Sequence, residues 1–161
     1  MAHSEAYEVL RRLYDMPKGQ LYINDTDAYT TWGIFLEETA LSALMTPAPN
    51  KEFISNKYRS KDGKSVIKHN PRLDEREITL PFNMTAKDSD TFMANYAKFC
   101  EEVLAKGELV IRTKFQPNVW YRCIYLSCTQ FSQFIQEMAK FSLKLNEPDP
   151  SDRGVTSKHS V

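Results

Sequence analysis

Histidine, glycine and cysteine are scarce in this chain of 161 residues, and neither sign of charge is in excess. The three histidines, His3, His69 and His159, have no carboxylate or cysteine at ligand spacing. The three cysteines, Cys100, Cys123 and Cys128, fit neither a C-x-x-C zinc pair nor the even-numbered framework of a secreted disulfide scaffold. No metal site is expected, and the thiols read as buried groups in a reducing compartment. Five scattered glycines supply no loop able to cradle phosphates, and no G-x-S-x-G, P-loop or G-x-G-x-x-G occurs, so neither a nucleotide enzyme nor a bound cofactor is expected. The 21 Lys+Arg match the 21 Asp+Glu, which removes the clustered positive charge that sequence-independent binding of nucleic acid requires. The same neutrality leaves little repulsion between copies and so permits self-association. No apolar run approaches the length of a membrane span, and the opening MAHSEAYEVLRR lacks the pattern of a leader. A soluble protein made in the cytoplasm is expected, with no membrane partner.

Hydrophobic residues make up 42% of the chain, enough for one domain with a core. Tyr7, Leu10, Leu13 and Tyr14 recur at helical spacing in Ser4 to Tyr14, which predicts a short amphipathic helix ended by Met16-Pro17-Lys18-Gly19. From Gln20 the texture is β-like: Leu21-Tyr22-Ile23 and Thr30 to Leu36 read as two short strands around Asn24-Asp25-Thr26-Asp27. Pro47 and Pro49 mark a connector, and Asp62-Gly63 sets the turn of a polar hairpin between Glu52–Tyr58 and Lys64–Lys68. Ile78, Leu80, Phe82 and Met84 alternate with Thr79, Pro81 and Asn83, a half-buried strand in which Pro81 calls for an edge or a bulge. The period then changes: Asp88-Ser89-Asp90 offers caps, Phe92, Tyr96, Phe99, Cys100, Val103 and Leu104 form one helical stripe, and Gly107 ends it. Leu109, Ile111, Thr113 and Phe115 alternate next, Gln116-Pro117-Asn118 turns into the strand Val119 to Thr129, and Gln136 to Asn146 closes the pattern. The predicted fold is mainly β with one flanking α-helix, an antiparallel β-sandwich or barrel. Residues 1–19 form an N-terminal helical extension, 20–147 the β-domain, and 148–161 a flexible C-terminal tail.

Chemistry is thin. Asp74-Glu75-Arg76-Glu77 is the densest charge cluster, and a solvated or ion-paired face accounts for it better than an acid–base pair; Arg76 reaches a carboxylate in its own chain or across an interface. No catalytic residue is assigned. Trp120, Tyr121 and Tyr125 give one strand bulk on both faces, which places it inside a sandwich or at an interface. Trp32, Trp120 and Tyr125 are therefore candidates for contact between subunits.

Several pieces in order carry a resemblance: Leu21-Tyr22-Ile23-Asn24 and Tyr29 to Ile34, the Pro47/Pro49 connector, Arg59-Ser60-Lys61-Asp62-Gly63, Asp74 to Phe82, the capped helix and the hairpin after it. Over residues 20 to 147 this arrangement resembles the N-terminal belt domain of phage distal tail proteins, a fold related to that of the tail tube protein. The resemblance implies a homo-hexameric ring at the end of the tail tube nearest the host. Such a ring joins the tube protein to the baseplate or tip hub and leaves a lumen through which genome DNA passes without specific binding. It implies a place in the virion tail, with assembly in the bacterial host cytoplasm. Residues 1–19 precede the usual pattern and no peripheral second domain follows residue 147, so receptor binding lies outside what the resemblance implies. In a ring, the polar hairpin carrying Arg59, Lys61, Asp62 and Gly63 is a natural arm toward a neighbouring subunit, and Arg76 a further contact. The alternatives are the tail tube protein itself, or a small ligand-binding or enzymatic β-domain whose pocket gathers residues distant in sequence.

Overall fold

The computed structural model describes residues 17–51, the strand residues 55–56 and 65–66, and residues 72–155. The predicted helix of Ser4 to Tyr14 and the turn Arg59 to Gly63 lie outside the described residues. Among the described residues nine strands run in chain order: β1 Leu21–Ile23, β2 Thr26–Asp27, β3 Ile34–Leu36, β4 Ser55–Asn56, β5 Ser65–Val66, β6 Arg76–Thr85, β7 Glu108–Thr113, β8 Gln116–Ile135 and β9 Met138–Glu147. Helix α1 is Ala28–Trp32, α2 is Ala40–Met45, and α3 is Ser89–Phe99, which continues as a π-helical turn over Cys100–Leu104. Seven strands form one antiparallel sheet in the order β2-β1-β7-β8-β9-β6-β3, and β4 pairs with β5 as the predicted hairpin. The architecture is mainly antiparallel β with a helix on the sheet, as the patterning predicts.

The sheet curls until its ends meet. Gln20, beside β1, is buried; its side-chain Oε1 accepts from the Leu36 N–H of β3 at 3.3 Å, while its carbonyl accepts from the Lys114 N–H. Inside the curl, alternate residues of β6, β7 and β9 are buried, among them Leu80, Phe82, Leu109, Ile111, Leu143 and Leu145. Helix α3 closes the open side by setting Phe92, Phe99 and Val103 onto this core, with Phe99 5.4 Å from the Trp32 ring and 6.0 Å from Phe141. Each such side chain contributes about 1.5–3 kcal/mol by leaving water. Asp88 caps α3 by accepting from the Thr91 N–H at 2.7 Å, and Gly107, at φ 82, ends the π-helical turn by donating to Val103 and Leu104. Both were legible as caps in the sequence.

Two local expectations are corrected. Thr30 to Trp32 are helical instead of extended: Asp27 accepts from the Tyr29 and Thr30 N–H groups, and Gly33 terminates the turn in the left-handed region, so two caps outweigh the β preference of Thr-Thr-Trp. A Cβ on Gly33 would stand 1.9 Å from the Thr85 carbonyl oxygen, which fixes glycine here. The hairpin after β7 turns at Lys114-Phe115, with Thr113 opposite Gln116, two residues earlier than the Gln116-Pro117-Asn118 turn. Beyond β9, Arg153 reaches back to Glu147 and its carbonyl accepts from the Trp120 N–H. Pro81 sits where β3 has run out: β3 pairs with β6 only from Phe82 to Met84, so the missing N–H leaves no strand partner unsatisfied.

Candidate functional site

β8 is the longest element, and its two halves live in different surroundings. Its first half is flanked by β7, which pairs with it as far as Glu108 opposite Ile124, and by the returning tail. The last bond on the β7 side is from Tyr125 N–H to the Gly107 carbonyl, and beyond it no described strand pairs with that edge. On its other side β8 stays paired with β9 from Ile124 opposite Asn146 to Ile135 opposite Met138. The pairing carries three bulges, at Leu126, Thr129 and Phe134, where β8 supplies a residue that β9 does not match. The Cys128 thiol donates to the Gln130 carbonyl at 3.3 Å, and the Gln133 amide donates to the Gln136 carbonyl at 3.2 Å, which satisfies part of the displaced backbone.

This outer half is uncharged, and its large apolar side chains are exposed. No Asp, Glu, Lys or Arg occurs from Cys123 to Gln136. Leu126 is 45% exposed and Phe134 59%, with Ile124, Phe131, Ile135 and Met138 also open. Natural edges are usually guarded by charge or proline, and here only the bulges do that work. Between this edge and α3 lies a groove of about 150 Å³, walled by Tyr96, Cys100, Leu104, Tyr125, Cys128 and Phe131. The Tyr96 ring meets Phe131 edge-on at 5.5 Å, and Phe131 stacks on Phe141 at 6.2 Å. The Tyr96 hydroxyl titrates above its ordinary value because it is hydrogen-bonded to the Cys100 thiol, and that of Tyr125 does so because it is partly buried. Both are neutral hydroxyls at pH 7, so the groove presents apolar surface with weak polar donors, suited to packing more than to proton transfer.

Beside the first half of β8, around Tyr121, the chain gathers charge instead. Glu147 is 0% exposed and takes three charge-assisted hydrogen bonds: Arg76 Nε at 3.0 Å, Arg153 Nε at 2.9 Å and Arg153 Nη2 at 2.7 Å. Both guanidinium groups lie over the Tyr121 ring, at 5.5 and 4.8 Å from its centroid. Arg76 also donates to the Leu44 and Thr46 carbonyls, which ties the end of α2 to the sheet. The Glu147 hydrogen bonds hold the Arg153 guanidinium protonated above its usual range, and burial drives the nearby Cys123 thiol up to about 12. Arg122 and Asp152 form a second, partly exposed pair.

Of the residues singled out in the sequence, Arg76 and Trp32 are interior, 4% and 3% exposed, and engaged within the chain. Trp120 is half-buried and shares the Arg112 guanidinium with Tyr22, at 5.5 and 4.2 Å. Tyr125 is half-buried and lines the groove. Arg59, Lys61, Asp62 and Gly63 lie outside the described residues. Sequence reasoning ended this strand at Thr129 and so missed Phe131, Phe134 and Ile135; the signal available was the long stretch without charge. Among the described residues no cluster of His, Cys, Asp and Glu could hold a metal ion, and no helix is long and apolar enough to cross a membrane.

No protein-family model matches the chain, and no curated protein matches it. Among solved structures its fold is similar to the crystal structure of the Dit protein of phage SPP1, described as a paradigm of the hub adsorption apparatus in phages infecting Gram-positive bacteria. The TM-score is 0.54 at 13% identity, over 81% of this chain and 50% of that one. The chain thus spans about half the length of the Dit protein. At this identity the likeness is one of fold.

Proposed function

We propose that this chain is a non-enzymatic structural protein of a phage or prophage tail, forming a hexameric ring at the distal end of the tail tube and linking the tube protein to the baseplate or tip hub. The observation that carries the reading is the fold likeness to Dit over most of the chain; the ordered series of motifs from Leu21 to the post-helix hairpin points the same way. The uncharged edge of β8 and the apolar groove beside it are surfaces of the kind an assembling protein buries. In this reading the function is mechanical. Each subunit offers two different patches head-to-tail, rotation closes the ring, and DNA passes through the lumen without base-specific contact. The arm carrying Arg59, Lys61, Asp62 and Gly63 reaches the adjacent subunit, Trp120 and Tyr125 stand beside contact surfaces, and the buried Arg76 and Trp32 hold the scaffold that presents them. Residues 20–147 form the ring domain and residues 1–19 an extension of it.

Light scattering coupled to size exclusion, over a concentration series of the full chain, tests the ring. A closed six-subunit species is the expected result, and a monomer at every concentration would refute self-assembly of the chain alone. Replacing Arg59 to Gly63 by a Gly-Ser linker is expected to leave a folded protein that no longer closes the ring; an unchanged ring would remove the arm from the interface.

A further inference from the structure

The outer face of the sheet carries one arginine without a counter-charge. Leu21, Ile23, Leu109, Ile111, Tyr121 and Cys123 are buried, so alternation turns Tyr22, Arg112, Trp120 and Arg122 to the other face of β1, β7 and β8. Tyr22 stands opposite Arg112 in register, and β1 and β8 lie on either side of β7. The Arg112 guanidinium reaches a ring on each neighbour, 4.2 Å from the centroid of Tyr22 and 5.5 Å from that of Trp120. Its Nε is sealed from water and meets no acceptor. The two terminal nitrogens are not sealed, and they donate to no described group.

Among the described arginines this state is singular. Arg72 is exposed, Arg76 and Arg153 share Glu147, and Arg122 pairs with Asp152. Arg112 alone is half withdrawn from water without a carboxylate. The carboxylate in line with it, Asp27 on β2 opposite Tyr22, is committed elsewhere: its oxygens accept from Gly19, Tyr29 and Thr30. A cation already ordered and partly desolvated by two rings loses little more on meeting an anion, which favours binding. One planar fork fits one planar carboxylate, whereas a phosphodiester strand needs a row of cations, and Arg122 on this face is already neutralised by Asp152. The rings add apolar surface for the residues beside such a carboxylate, and Tyr, Trp and Arg are the residue types that anchor protein interfaces.

We propose that Tyr22, Arg112 and Trp120 form a binding site for a carboxylate side chain on an acidic segment of a partner protein. The guanidinium fork takes the carboxylate, and the two rings pack on the residues that flank it. The site lies apart from the apolar groove beside α3 and does not depend on ring closure.

A peptide with a single charge tests it. Acetylated and amidated Leu-Glu-Leu, whose one ionised group is the glutamate, is titrated into the full chain at fixed ionic strength. Tryptophan emission reads binding beside Trp120, and the matching Leu-Gln-Leu peptide and inorganic phosphate are run in parallel. The Glu peptide is expected to give a saturable change in the millimolar range, with the Gln peptide weaker on the order of tenfold. Arg112→Met keeps the apolar stem and loses the charge, and is expected to abolish the change while circular dichroism stays that of the native fold. Arg112→Lys is expected to weaken binding several-fold, because an ammonium lacks the fork. Trp120→Phe leaves Trp32 as the remaining reporter, and its emission is expected not to respond. No saturable change in wild type, equal affinity for the Glu and Gln peptides, or binding that survives Arg112→Met would each overturn the proposal. Should Arg112→Met fail to fold, Arg112→Lys decides: affinity equal to wild type overturns the fork. Phosphate that binds more tightly than the Glu peptide, and loses that binding in Arg112→Lys, would also overturn it and give the site to a phosphate ligand.

Discussion

Glu147→Gln removes one charge from the centre of the buried arginine cluster and leaves the shape almost intact. In the native protein one carboxylate, sealed from solvent, neutralises Arg76, which is itself sealed, and Arg153, which retains about a quarter of its side-chain exposure. The amide accepts on one oxygen only and turns an N–H₂ toward a guanidinium that offers only donors. Arg153 can swing its head toward water, but Arg76 is pinned by the Leu44 and Thr46 carbonyls and cannot. The expected cost is that of stranding one buried charge, about 3–5 kcal/mol. Against a typical domain stability of roughly 5–15 kcal/mol this is a large fraction. At a slope near 2 kcal/mol/M it moves the urea midpoint down by about 1.5–2.5 M. Unfolding followed by tryptophan fluorescence at pH 7 and one fixed protein concentration reads it, since Trp32 is buried beside Phe99. Arg153→Met is expected to cost less than Glu147→Gln because its head is partly solvated, and the double change Arg76→Met with Glu147→Met is expected to regain most of the loss by replacing the buried pair with apolar volume. A midpoint for Glu147→Gln within about 0.3 M of wild type would refute the argument, showing that water or a shifted backbone compensates the charge.

Gly33→Ala is expected to destabilise the chain more than a solvent-exposed substitution, because the new methyl would meet the Thr85 carbonyl at 1.9 Å in a left-handed backbone; thermal unfolding measures the loss. Cys123, with its thiol pushed up to about 12, is expected to resist a thiol reagent at pH 8 until the protein unfolds, while the exposed Cys128 reacts in the native state; timed titration with and without denaturant separates them. The sign for stability follows: the folded thiol keeps its proton where the unfolded one loses it, so this contribution is complete below about pH 9 and declines as pH rises toward 12. Asp88 is held below its ordinary value by the Thr91 N–H, so its stabilisation is present above pH 4 and fades as acid protonates it; Asp88→Asn is expected to flatten the acid limb of the stability profile.

Regular period made most of the fold legible. β6, β7, β9 and the α3 helix with both of its caps follow from alternation or a helical stripe in adjacent residues. What stayed hidden fell into two kinds. Where local geometry broke the period, the reading failed: two caps overrode the strand preference of Thr30 to Trp32, and three bulges turned the alternation of β8 into an irregular spacing that seemed to end at Thr129. Where partners are distant, no local signal exists. Arg76 and Glu147 stand 71 residues apart, and nothing near Glu147 announces that it is sealed from water, so neither the buried cluster nor the folded-back tail could be read from composition. The resemblance to distal tail proteins rested on the order of elements, which survives such local failures.

The length of β8 also makes it a mechanical member. At about 3.3 Å per residue the span of β8 from Tyr121, beneath the arginine cluster, to Ile135 at the hairpin tip is roughly 45 Å. Tension applied at that tip along the strand loads the ladder to β9 in shear, so its bonds resist together instead of opening one by one. At the far end the strand is anchored by β7 and by the Arg153 clasp, while the bulges provide points where the outer span can flex without parting. A push on the tip is thus carried as strain along a single continuous backbone into the most rigidly paired part of the domain.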